Sequence, residues 1–472
     1  MSTVDTGADE GAAGSSAPGA QSPLRLRSVQ MVLAMEVLGS IGVFAQATAL
    51  GKLVYDISHR TLDLGLLGLA EFAPAALLVL VTGHVADKRD RRRIVAAALA
   101  VEALVALGIA WYAGSAPTAV GPLFAMAFGF GIAKAFLAPA SRSLPANVAP
   151  AGSLPKVMAT FSGMWQSALI TGPILGGFLY AGSPSWPFLG ASILFLAGAA
   201  AVSTVRRRDM HPGEAKAPVV AGPMAVAPID AVLPDGLLAA SRPTEAAGPA
   251  DVTAADSKTA KAPPERGGLP AALDGLRFIR RTPILLAAIS LDLFAVLFGG
   301  AVALLPAICE ERLHVGSVGL GWLRAAGGIG AVLVAAALVR RPITRRIGRV
   351  LLVAVAVFGV CTVLLGITKI YAVAFLAMAM LSAADMVSVF IRGTLVPLVT
   401  PDQVRGRVLA AENVFIGASN ELGAFESGVS AQLMGTVGSV VLGGIVTVAI
   451  AALWWVRFPS LRNVDSFDDL TG

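Results

Sequence analysis

Apolar runs about 20 residues long recur along the chain, as in AAALAVEALVALGIAWY (96–112) and VLLVAVAVFGVCTVLLGI (350–367). A helix needs ~20 apolar residues to cross a bilayer core, and no shorter unit satisfies its own backbone there. The runs are continuous rather than alternating, which argues against a β-barrel. Only 14% of residues are charged, against ~25% in a soluble domain, and 56% are hydrophobic. The fold class expected is an all-α polytopic membrane protein.

Twelve spans are predicted, at 29–54, 62–83, 94–113, 118–140, 157–180, 185–205, 283–309, 317–339, 350–368, 371–398, 408–435 and 437–457. Glu412, Glu421 and Glu426 interrupt the eleventh. The net charge is +6, but the basic residues sit in short loops between apolar runs, so they report topology rather than a nucleic-acid partner. Arg25, Arg27, Lys88 to Arg93, Arg142, Lys156, Arg206 to Arg208, Arg340 to Arg349, Arg405, Arg407 and Arg457 share one side. The other side holds Lys52, Arg60, Arg312 and Lys369. Both termini are therefore expected on the cytoplasmic face of an inner membrane.

The chain divides into a disordered tail (1–27), a six-span bundle (28–205), an Ala/Pro-rich disordered linker (206–270), a second bundle (271–458) and a tail (459–472). The second bundle opens on LPAALDGLRFIRRTP, which reads as a short amphipathic helix on the membrane surface. The halves repeat weakly. A shift of 251 superposes Leu144 on Leu395, Pro150 on Pro401, Gly172 on Gly423 and Gly177 on Gly428. A shift of 256 superposes Leu64-Gly65 on Leu320-Gly321 and Arg93 on Arg349. Parallel six-helix repeats are a transporter plan with the substrate held between them.

Cys309 and Cys361 form no motif, the four histidines have no ligand spacing, and neither a metal nor a cofactor is expected. No P-loop, HExxH or GxSxG in a matching context is present, which argues against an enzyme and an ATP-driven pump.

The loop GHVADKRDRRRIV (83–95) resembles motif A of the major facilitator superfamily through Gly83, Asp87, Lys88, Arg91 and Arg92, with Asp90 in place of a second glycine. The second-half copy keeps Arg345, Gly348 and Arg349 but lacks the Asp. Gly172-Pro173 and Gly176-Gly177 resemble that superfamily's motif C, with Ala159 and Ala168 at its upstream glycine positions. LGKLVYDIS, AFLAPASRSLP and SLDLFAVLFGGAVALLP are similar to the branch that contains the enterobactin exporter and related multidrug or siderophore exporters. The resemblance implies two pseudo-symmetric six-helix bundles, alternating access and export by antiport. It also implies a cavity lined by helices 1, 4, 7 and 10.

Those four helices carry Glu36, Lys134, Asp292 and Asp385, related in pairs by the two shifts. Charges at this depth are costly, so the four are the candidate substrate and proton-coupling residues. Static pairing is the competing reading. Glu71, Glu102 and Arg324 are expected to pair within their own halves, and Glu421 and Glu426 to pair locally or meet water near a helix end. Gly83, Asp87, Lys88, Arg91, Arg92 and Arg142 are the candidate latch between halves, in which Asp87 accepts hydrogen bonds from a facing helix N-terminus. Gly172, Pro173, Gly176 and Gly177 are the candidate close-packing motif. The sequence thus reads as a monomeric, proton-coupled exporter of a small amphipathic molecule. Uptake on the same fold and a non-transporting sensor are the alternatives.

Overall fold

The computed structural model describes residues 22–206 and 269–470, so most of the expected N-terminal tail and linker lie outside it. Among the described residues the structure is helical, without strands. The first half comprises α1 (Arg27–Ser58), α2 (Thr61–Lys88), α3 (Arg91–Gly114), α4 (Gly121–Val148), α5 (Leu154–Gly182) and α6 (Trp186–Ser203). The second comprises α7 (Leu269–Arg281), α8 (Pro283–Phe298), α9 (Leu305–Ala307), α10 (Ser317–Arg340), α11 (Ile347–Ile367), α12 (Tyr371–Val399), α13 (Asp402–Arg457) and α14 (Pro459–Arg462). Among the described residues, ten helical segments are long and apolar enough to cross a membrane.

Local chemistry sets many of the ends. Proline opens α4, α5, α6 and α8, where its missing N–H has no partner to lose. His59, at φ 49°, closes α1 in the left-handed region. The seventh span departs from a regular helix. α8 stops at Gly299-Gly300, where the Gly423 backbone of α13 leaves no room for a Cβ, and the chain continues to Arg312 through 3-10, α9 and π-helical turns. The eleventh and twelfth spans form one element, α13, broken at Gly435 (φ 82°, ψ 157°), a conformation that favours glycine.

Three apolar cores organise the bundle. One lies within the first half around Val29, Leu99, Leu144 and Phe195. Another lies within the second around Leu285, Leu351, Ile391 and Trp454. The third runs continuously through both halves, from Leu50, Ile109 and Phe188 to Leu304, Leu320 and Met378, all toward the face opposite the basic loops. The halves are therefore joined at that face, whereas the other two cores stay within their own halves.

The C-terminal segment folds back rather than trailing away. Leu461 is buried, and the carbonyls of Val464 and Asp465 accept hydrogen bonds from Gly348 and Ile347 at the N-terminus of α11, which has no earlier turn to supply acceptors. The amphipathic helix expected at 269–283 is α7, packed on the first turns of α13.

Candidate functional site

Two helix crossings join the halves. α5 packs on α10, and α2 packs on α13. A Cβ on Gly177 would lie 3.0 Å from the Gly321 Cα, and one on Gly428 would lie 3.0 Å from the Gly65 Cα. The shifts of 251 and 256 map the first pair onto the second, so the repeat builds the same glycine-on-glycine contact twice. Gly172 and Gly176 face α1 instead, against Phe44 and Ala45, and the Pro173 carbonyl backs Gly321.

Charged side chains gather inside this frame in four places. In the first half, Lys134 Nζ on α4 lies 2.7 Å from Glu71 Oε1 on α2. Glu102 on α3 is fully buried within electrostatic range of both, and among the described residues neither of its carboxylate oxygens has a hydrogen-bond partner. Glu421 reaches in from α13 because Gly68 has no side chain; a Cβ there would lie 2.8 Å from Glu421 Oε2. Glu71 is thus paired within its half, while Glu102 lacks the partner expected of it. Glu421 is not a local pair near a helix end but part of a group shared by both halves. Glu426, by contrast, bonds locally to Ser430.

In the second half Arg392 Nη2 contacts Asp292 Oδ1 at 2.7 Å, and its Nη1 lies 3.7 Å from Glu412 Oε1, all three buried. Its Nε donates to Ser388 Oγ at 3.2 Å. Asp385 lines a narrow crevice with Asp292 and Ser388 and makes no ion pair within 4 Å among the described residues. Glu36, buried on α1, accepts from Ser40 Oγ at 3.1 Å and lies in electrostatic range of Arg142. The four predicted cavity residues therefore do not converge on one point. Asp292 and Asp385 share a crevice, Glu36 faces Arg142, and Lys134 belongs with α2 and α13. The expectation for Arg324 is corrected: its Nη1 lies 3.5 Å from Thr48 Oγ1 of α1, across the halves rather than within its own.

The fourth group closes the face opposite the basic loops; of its members the sequence identifies only Lys52, as a loop charge. Lys52 pairs with Asp56 on its own helix and with Glu310 of the π-turn at 2.9 Å. Tyr55 donates to Glu311, Tyr180 donates to Asp56 at 2.6 Å, and His59 lies 3.7 Å from Glu310. Tyr55 and Glu311 are separated by 256 residues. They are thus repeat mates meeting on the pseudo-twofold axis, and that interval is the sequence signal for the contact.

In the motif A loop, the side chains of Gly83, Asp87 and Lys88 lie outside the described residues. Asp90, the departure from the motif, caps α3 by accepting from Arg92 N at 3.1 Å, and its carboxylate is forked by the Arg92 guanidinium at 2.6 and 3.1 Å. That bond holds the Asp90 carboxyl below the usual range. Arg92 also donates to the Val205 carbonyl beyond α6, and Arg91 reaches Asn147 Oδ1 at 3.4 Å. Both arginines therefore brace their own half.

The sequence profile of the Major Facilitator Superfamily matches residues 32–424. An uncharacterized MFS-type transporter, YhjO of Bacillus subtilis (strain 168), is 29% identical over 137 residues, which are 29% of this chain and only 33% of that protein. Among solved structures, a bacterial homolog of the human lysosomal transporter Spinster, inward-facing and unoccupied, is 14% identical with TM-score 0.61, covering 93% of this chain and 99% of that one. A POT family transporter in complex with 5-aminolevulinic acid is 10% identical with TM-score 0.66, covering 92% and 96%. At these identities the likeness is one of fold.

Proposed function

The chain belongs to the major facilitator superfamily, a membrane transporter of small molecules and not an enzyme, and we propose that it couples protons to export of a small amphipathic molecule. The observation that carries this reading is the surplus of carboxylates over cations inside the bundle. Among the described residues, Glu71, Glu102 and Glu421 surround one cation, Lys134, and Asp292, Glu412 and Asp385 surround one cation, Arg392. A scaffold has no use for uncompensated charge at this depth, whereas a carboxylate that loads and releases a proton does. The same surplus suits a cationic or zwitterionic substrate, drug-like or siderophore-like. Export draws on the Gly172-Pro173 resemblance, and the cytoplasmic position of both termini on the basic loops. In this reading the protein works as a monomer, and Gly83, Asp87 and Lys88, with Arg142 beside them and with Arg91 and Arg92 bracing the loop from within its own half, belong to a latch that holds the halves at the basic face when the opposite face opens. Asp87 carries the switch.

The test is transport by purified protein in vesicles under an imposed pH gradient, with a panel of siderophores and cationic drugs. Amide substitution of Glu36, Asp292 and Asp385, one at a time, should abolish pH-driven movement in at least one case. Full coupling in all three variants would reject the assignment, and accumulation in the opposite sense would establish uptake. Asp87→Asn should slow the cycle; parental rates would leave that loop a purely topological role.

A further inference from the structure

Arg280 and Arg281 lie three and four residues after Arg277 on α7, which places all three on one face of the helix, and all three are exposed. The reverse face is fixed to the bundle. Gly275 lies against the Arg407 backbone, where a Cβ would fall 2.7 Å from the carbonyl oxygen; Ile279 is buried, and Asp274 lies 3.6 Å from Arg407. One extended residue, Thr282, separates α7 from α8, whose first residue begins a membrane span. The stripe therefore sits at the level where the chain enters the bilayer.

The protein supplies little counter-charge there. Arg280 and Arg281 make no hydrogen bond or ion pair among the described residues, and Arg277 has only Asp274 at 3.5 Å. We propose that this stripe is a docking surface for anionic phospholipid headgroups. Guanidinium forks match phosphate oxygens in geometry as well as charge. Orienting a transporter requires only positive loops. Three arginines held side by side on a seated helix go beyond that requirement and offer a site of fixed shape. Near an anionic surface each contributes a factor of about five in affinity, or about 10²-fold for three.

The experiment titrates the purified full-length protein in detergent with phosphatidylglycerol and with phosphatidylcholine, and counts bound lipid by native mass spectrometry. The parent should retain phosphatidylglycerol in preference to phosphatidylcholine. Arg277→Gln/Arg280→Gln/Arg281→Gln should lose about 10²-fold of that affinity. Arg340→Gln/Arg341→Gln/Arg345→Gln, which removes equal charge elsewhere on the basic face, should keep it. Arg277→Lys/Arg280→Lys/Arg281→Lys preserves the charge but not the fork and should bind between the parent and the glutamine variant, which separates lost recognition from misfolding. The proposal is overturned if the parent shows no preference, if the stripe variant binds as the parent does, or if the control loses as much. None of these outcomes depends on what the protein transports or in which direction.

Discussion

Neutralising the Lys52–Glu310 contact should open the face opposite the basic loops by a predictable amount. Lys52 is 12% exposed and Glu310 38% exposed, so the pair is too wet to be valued as a buried ion pair. Glu310→Gln also leaves Lys52 paired with Asp56, and no charge is orphaned. The loss should be that of a partly exposed pair, about 0.5–1 kcal/mol, which enriches the opened state by roughly two- to fivefold. Lys52→Gln is the harsher change. It leaves Asp56, Glu310 and Glu311 clustered around the Tyr55 and Tyr180 hydroxyls with no cation, and should cost about 2 kcal/mol, or roughly thirtyfold. Spin labels at Thr118 and Lys369, in exposed loops of the two halves on that face, read the population by double electron–electron resonance. Cys309 and Cys361 are buried and leave the labelling clean. Longer distances should grow in the order parent, Glu310→Gln, Lys52→Gln. Unchanged distributions in the lysine variant would refute the claim that this network holds the face shut.

Three further outcomes follow from contacts described above. Gly177→Val and Gly428→Val each press a side chain into a facing backbone and should cut transport at least tenfold in vesicle assays, whereas Gly163→Ala, which meets nothing within 4 Å, should transport normally. Arg392→Leu strands Asp292 and Glu412 as buried carboxylates and should cost about 3–5 kcal/mol in thermal unfolding. Asp90→Ala removes a helix cap worth about 1 kcal/mol. Because the Asp90 carboxyl is held below its ordinary value, that contribution should be complete above about pH 4 and fade as pH falls further, while Asp90→Asn shows no such fall.

The spans were legible because each apolar run had to be long enough to cross a bilayer, and the junction of the last two lay at Gly435 because a left-handed turn needs such a residue. The charged groups were harder. A shift of 251 pairs Lys134 with Asp385 and misses the alignment of Arg142 with Arg392 by one residue. One residue is ~100° around a helix, enough to turn a side chain to a different neighbour. The more telling correspondence is Glu36 with Arg142 and Asp292 with Arg392, an acid and a guanidinium at comparable places in each half. Glu421 reads as a local pair for a related reason. Sequence gives its depth, but only the bare backbone at Gly68 on another helix makes room for its carboxylate. The sequence pattern singles out neither Glu310 nor Glu311, because the π-turn that aims them across the axis has no apolar periodicity of its own.

The paired glycine crossings also set a lever ratio. On α5 the contact lies at Gly177, while the helix begins at Leu154, roughly 35 Å away at 1.5 Å per residue. If the two crossings act as a fulcrum, a tilt of about 10° changes the spacing near the glycines by little more than a bond length, yet swings the distant helix ends by about 6 Å. Bulk added at the fulcrum is therefore amplified into misplacement at the far end. A methyl group added at Gly163, nearer the far end of α5, meets nothing within 4 Å.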